Sequence, residues 1–207
     1  VVAGDAANGM TTNEPEFTRI MKPTVVRRIA VFGPESTGKT TLAEKLAVHF
    51  AAPLVPEYAR ERWEAQGGLS LADMLPVAQE QWRREDAAVR QAQAAGAPLV
   101  ICDTDALTTM LWSDLLYGTT PEEVRRRTEE RCRNYALYLL CDIDLPFSPD
   151  PQRCFPDQAD RIKLMNSWHK TLENRFLPYV MIRGAEAVRE ELAIVAIQKF
   201  MGETEHG

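Results

Sequence analysis

A chain of 207 residues, 45% apolar and 26% charged, is ordinary material for one α/β domain with a sizeable core. Its formal net charge of −6 weighs against a nucleic-acid partner, which calls for a basic face, and no apolar run reaches membrane-spanning length. Cys102, Cys132, Cys141 and Cys154 form no C-x-x-C pair, and no signal-peptide pattern opens the chain, so reduced thiols and a cytoplasmic setting are expected.

In chain order, residues 1–24 are small, polar and aperiodic and predict a flexible leader, too short for another catalytic domain. Val25 to Phe32 reads as a central buried strand. A glycine-rich turn follows, then a helix with Leu42, Leu46 and Phe50 on one face. Pro53 to Val55 predicts a short strand ending at Pro56, and helical sequence runs on to Ala65, stopped by Gly67 and Gly68. A long helix is expected from a Ser70 cap to Ala95, with Pro76 as a kink and Gly96 as the stop. Pro98 to Cys102 is a third strand. A helix through Leu107 to Tyr117 and another begun at Pro121 follow; the run Arg125-Arg126-Arg127 is balanced by neighbouring glutamates and reads as a solvated helix face. Ala136 to Cys141 is the fourth strand. Asp142 to Asp157 holds four prolines and no periodicity, so a lid is expected at about 144–160. A helix from Gln158 to Phe176, a strand at Tyr179–Ile182 and a helix from Ala185 to Phe200 complete the chain.

Alternating strands and helices predict an α/β fold, a five-stranded parallel sheet with helices on both faces filling residues 25–207, and the G-x-x-x-x-G-K-[ST] turn at Gly33 to Thr40 after its first strand makes it of the P-loop NTPase, nucleoside- or nucleotide-kinase-like kind.

The turn is the chemical landmark. Gly33-Pro34-Glu35-Ser36-Thr37-Gly38-Lys39-Thr40 matches G-x-x-x-x-G-K-[ST] between a strand and a helix, the context that gives this motif its meaning. The glycines let backbone N–H groups approach phosphate oxygens, and the helix start adds its positive dipole end. Lys39 offers a cation to the β- and γ-phosphates, Thr40 a hydroxyl to Mg²⁺, and Thr41 continues the nucleotide-contacting stretch. ATP and Mg²⁺ are therefore the expected cofactors, with a small molecule as acceptor.

Other residues supply what a phosphoryl transfer needs. Asp103 ends an apolar strand as a Walker B acid does and is a metal candidate, with Asp105 as alternate; each could instead cap the next helix. Glu57, at a strand's carboxyl end, is a candidate acceptor of a hydroxyl proton, or else the partner of Arg60 in a surface ion pair. Glu57, Tyr58, Arg60 and Asp105 are expected on the acceptor side, where Trp82 and Trp112 could stack on a ring. Arg153 in the lid is the candidate transition-state cation, and Arg161 the second choice or an ATP contact.

The P-loop with Thr41-Leu42, then Val55-Pro56-Glu57-Tyr58-Ala59-Arg60-Glu61, Cys102-Asp103-Thr104-Asp105, and Tyr138-Leu139-Leu140 ahead of Asp144-Leu145-Pro146, resemble the nicotinamide riboside kinase domain of NadR-type proteins over about residues 27–200. The resemblance implies ATP-dependent phosphorylation of the riboside 5′-hydroxyl. Departures are Pro56, where some relatives carry an aromatic residue, and Phe147, where relatives often carry Trp. The paired histidines of the family's adenylyltransferase motif also have no counterpart among His49, His169 and His206. Rival readings are a kinase of another nucleoside or vitamin alcohol and a non-catalytic ATP-sensing module. A GTPase would want N-K-x-D, which does not occur.

Overall fold

The computed structural model describes residues 25–205; the leader expected at 1–24 lies outside the described residues. Five strands, β1 (Arg27–Phe32), β2 (Leu54–Val55), β3 (Leu99–Asp103), β4 (Tyr135–Cys141) and β5 (Tyr179–Ile182), form one sheet in the order β2-β3-β1-β4-β5. Every pairing is parallel, and β1 sits at the centre, with Val31 opposite both Asp103 and Leu139. Among the described residues seven α-helices accompany the strands: α1 (Lys39–His49), α2 (Tyr58–Gln66), α3 (Met74–Ala95), α4 (Ala106–Tyr117), α5 (Glu122–Arg131), α6 (Gln158–Glu173) and, after the last strand, α7 (Glu186–Glu205).

Strand periodicity divides the interior in two. Ile29, Val31, Leu99, Ile101, Leu137 and Leu139 point to one face and meet Leu42, Leu46, Ala193 and Ile197 of α1 and α7. Ala30, Phe32, Val100, Cys102, Tyr138 and Leu140 point to the other and meet α3, α4 and α6, including the fully buried Trp168. Each strand is apolar on both faces because each face is covered, as a parallel sheet requires.

Local chemistry adjusts the expected boundaries. The first strand begins at Arg27 rather than Val25. The long helix begins at Met74, after a tight turn at Leu71–Asp73, so Pro76 falls in its first turn, where a missing N–H costs nothing and no kink is needed. Asp73 fixes that turn by accepting from the Ser70 N–H and hydroxyl at 2.9 and 2.6 Å. Pro121 precedes its helix as the cap residue rather than occupying the first helical position. Between β4 and α6, residues 142–157 hold neither helix nor strand.

The sheet order brings the carboxyl ends of β2, β3 and β1 side by side. β1 pairs with β3 on one flank and β4 on the other, and the crevice opens where the connections diverge, the position at which open parallel sheets bind ligands. Among the described residues no helix is long and apolar enough to cross a membrane.

Candidate active site

The loop after β1 wraps the N-terminus of α1. Gly33 has φ +147° and faces the Cys141 carbonyl so closely that a Cβ would lie 2.8 Å from it; only glycine fits. Gly38 has φ +74° and starts α1. Thr37 Oγ1 donates to the Pro34 carbonyl at 2.9 Å, and the Lys39 ammonium folds back onto the same carbonyl at 2.7 Å. The Thr40 hydroxyl donates to Asp103 Oδ2 at 2.7 Å. Asp103 is buried, and its Oδ1 has no hydrogen-bond partner among the described residues.

Two arginines hold this loop from outside the cavity. Arg161 donates to the Ser36 and Leu145 carbonyls at 3.4 and 3.0 Å. Arg189 donates to the Thr37, Asp142 and Gly184 carbonyls at 2.9, 2.8 and 2.8 Å and pairs with the Asp144 carboxylate. Both side chains are buried. Arg161, expected as an ATP contact, bonds these backbone carbonyls and is not among the residues lining the cavity. Arg189, on the last helix, had no sequence signal.

A cavity of about 410 Å³ runs from the loop to a wall built by α2, α3 and α4. Glu35 through Thr41 line one end, and Glu57 and Arg60 stand beside them. Burial pushes the Glu57 carboxyl above the usual carboxylate range; Lys39 pulls it back, while the negative charge of Asp103 adds to the rise. Burial raises Asp103 as well, partly offset by Lys39 and the Thr40 hydrogen bond. Arg60, the alternative ion-pair partner for Glu57, bonds Asp150 of the 142–157 segment instead, at 3.1 Å.

That segment is pinned across the cavity mouth. Glu35 accepts from the backbone N–H of Cys154 at 2.9 Å and of Phe155 at 2.6 Å, and Ser36 Oγ accepts from the Ser148 N–H at 2.8 Å. Arg153 lines the cavity, with its guanidinium bonded to the Ser148 carbonyl of its own segment.

Trp63, Met74, Val77, Gln81, Thr108 and Trp112 also line the cavity. Trp112 packs against Phe155, rings 6.2 Å apart, and against Trp168 at 5.2 Å. Three expected acceptor-side residues are corrected. Trp82 is a core residue, 4% exposed, with the Arg127 guanidinium 5.2 Å from its ring. Asp105 caps α4: its Oδ1 accepts from the Thr108 N–H and hydroxyl at 3.0 and 2.9 Å, and burial raises its pKa to about 6. Thr104, at φ +73°, makes the sharp turn that separates the surroundings of Asp103 and Asp105. The Tyr58 ring turns away under Arg84, at 4.4 Å, and only its backbone N–H serves the site, donating to Gln81 Oε1 at 2.9 Å. Trp63 and Gln81 were missed. Gln81 did leave a trace: with Glu85 it interrupts the buried apolar stripe of α3 at helical spacing.

Residues 28–189 match the family described as the AAA domain. The chain belongs to the AAA-domain family. It is 28% identical over 189 residues to the trifunctional NAD biosynthesis/regulator protein NadR of Escherichia coli (strain K12), covering 88% of this chain and 45% of that protein. The same figures hold for the Salmonella typhimurium (strain LT2) protein of that name. The chain therefore spans about half the length of the curated relatives it matches. A crystal structure of NadR protein in complex with NR superposes with TM-score 0.67 at 27% identity, over 86% of this chain and 52% of that one. NadR protein in complex with NAD and AMP-PNP superposes with TM-score 0.65 at 25% identity, over 86% and 50%. Thymidylate kinase from Ehrlichia chaffeensis, at 15% identity and TM-score 0.58 over 83% of this chain and 99% of that one, shares the fold. The α/β P-loop NTPase fold is thus established by topology and by kinase neighbours.

Proposed function

We propose that the chain is an ATP-dependent kinase that phosphorylates the 5′-hydroxyl of nicotinamide riboside, giving nicotinamide mononucleotide and ADP. One observation carries the reading: a P-loop whose lysine rests on the Pro34 carbonyl, a buried Asp103 tied to Thr40, and a carboxyl of raised pKa, Glu57, lie together at a cavity that Trp63 and Trp112 also line. The two NadR structures, one with NR and one with NAD and AMP-PNP, support the choice of nucleotide and acceptor. We assign residues 25–207 as the kinase domain, with its lid at about 144–160, and the buried free thiols Cys102, Cys132 and Cys141 fit a reducing cytoplasm.

The residues suit Mg²⁺ carried on nucleotide. The orphaned Oδ1 of buried Asp103 and the Thr40 hydroxyl make a small oxygen donor set, the kind that holds Mg²⁺ together with phosphate oxygens and water. When bound, the ion supplies charge neutralisation at the phosphate oxygens. The rest is done by the chain. The P-loop N–H groups and the α1 N-terminus hold the phosphates. The Lys39 ammonium leaves the Pro34 carbonyl for the β- and γ-phosphate oxygens. Glu57, ionised, accepts the 5′-hydroxyl proton as the oxygen attacks phosphorus. Arg153 exchanges the Ser148 carbonyl for the migrating group, and the segment pinned by Glu35 and Ser36 excludes water. Arg161 and Arg189 act at one remove, by fixing the loop whose N–H groups do the binding.

ADP release from ATP, measured across a panel of nucleosides and vitamin alcohols, tests the reading. Nicotinamide riboside should give the highest kcat/KM. ATP binding without ADP release on any acceptor would replace the kinase with an ATP-sensing module.

A further inference from the structure

Gln81 carries a feature the reaction above does not use. Its side chain is 3% exposed, yet it lines the cavity. Oε1 accepts the Tyr58 N–H at 2.9 Å, and that bond fixes which way the amide points, because a flipped amide would set donor against donor. Nε2 is therefore the remaining end. It is buried and has no hydrogen-bond partner among the described residues. Buried amide donors are rarely left unpaired in native proteins, and one beside a cavity is completed there by water or by a group of the ligand that displaces it. The residue that orients Gln81 is the neighbour of Glu57, which places the amide on the acceptor's side of the cavity. Met74, Val77 and Trp112 line the same cavity, an apolar and aromatic surface suited to a planar ring rather than to a sugar.

We propose that Gln81 is a specificity-determining residue whose Nε2–H donates to an exocyclic carbonyl oxygen on the acceptor's ring, so that this kinase selects nucleosides whose ring bears a carboxamide-type acceptor. The proposal rests on the riboside kinase reading. A site built to complete a hydrogen bond rejects the analogue lacking that group, because its own buried donor is then left desolvated and unpaired.

The experiment compares nicotinamide riboside with pyridinium riboside, which has the same sugar and ring charge but no carboxamide. Wild-type protein should prefer the first by roughly 10- to 100-fold in kcat/KM. Gln81→Met keeps the length and removes the donor. It should bring the two substrates to within about threefold of one another, through the loss on nicotinamide riboside alone, with the KM for ATP unchanged. The wild-type comparison needs no variant, so it can overturn the proposal even if Gln81→Met does not fold, and Gln81→Glu, which keeps shape and the Tyr58 acceptor, then takes the place of Gln81→Met as the test of the donor. Equal use of both ribosides by wild type overturns the proposal and leaves the kinase reading standing. An equal loss on both in the variant also overturns it, since Gln81 would then serve the sugar or the fold. Wild type that phosphorylates neither riboside but accepts another alcohol overturns the riboside reading and this inference with it.

Discussion

The two ends of the cavity are built on opposite principles. The P-loop end comes from consecutive residues, Glu35 to Thr41, whose shape is locked by two buried arginines behind it and whose backbone N–H groups we propose to bind phosphate. The rest of the cavity is assembled from α2, α3, α4 and the 142–157 segment, which are far apart in sequence. Binding by backbone needs a fixed local conformation, which leaves a contiguous motif; binding by side chains needs only that distant positions converge. Glu57 stands where the two meet, and perturbing it should have the largest effect.

Glu57→Gln removes the proton acceptor but keeps size and polarity. kcat should fall by on the order of 10³, with the KM for ATP little changed. The raised pKa of Glu57 also places the acid limb of the wild-type pH–rate profile above the ordinary carboxylate value of about 4. The base works only when ionised, so rate rises with pH through that limb. A variant with full kcat and weakened ATP binding would move Glu57 to the phosphate end as a structural group.

Arg153 tests whether the segment over the mouth belongs to the phosphate end in the transition state. Arg153→Ala should lower kcat by roughly 10- to 100-fold while raising the KM for ATP less, the pattern of a contact made mainly as the phosphoryl group moves. Protease cutting in 142–157 should be suppressed by ATP analogue plus nucleoside. Unaltered kcat together with ligand-independent cutting would make the segment a static cover.

The contrast also explains what could be read in advance. The five strands, their parallel arrangement and the P-loop were legible because apolar runs, glycines and the strand–loop–helix context are local signals. Glu57 and Asp103 were legible as carboxylates closing strands. Arg189 was not: a single arginine on a polar helix face looks solvated until the fold carries it to three loop carbonyls 2.8 to 2.9 Å away. Trp82 and Trp112 were equivalent as letters, and only packing sent one into the core and the other to the cavity. Asp105 and Asp103 were separated by the turn at Thr104, a positive φ that its residue type does not announce.

Trp112 sharpens the acceptor side. Trp112→Ala should raise the KM for the nucleoside about tenfold and leave the KM for ATP unchanged, since a lost aromatic contact beyond area burial is worth roughly 0.5–1.5 kcal/mol. Equal effects on both KM values would mean that Trp112 matters only by supporting Phe155 and Trp168.

Asp105 should matter for stability and hardly at all for turnover. It is buried, with Glu85, Tyr135 and Tyr138 close enough to interact with it. Burial lifts its pKa to about 6, above the unfolded value of about 3.9. The native state thus holds this proton more tightly than the unfolded chain. The stabilisation is complete below about pH 4 and is lost as pH rises through about 6. Asp105→Asn keeps an acceptor for Thr108 and carries no charge at any pH. Relative to wild type, the variant should gain about 3 kcal/mol of stability between pH 4 and pH 7.5, read from urea midpoints in buffer without divalent cations. Glu85 titrates in both proteins, so the difference between them isolates Asp105 to the extent that the two carboxyls act independently. A constant difference across that range would mean that Asp105 titrates as it does in water, and that its burial among the tyrosines is compensated.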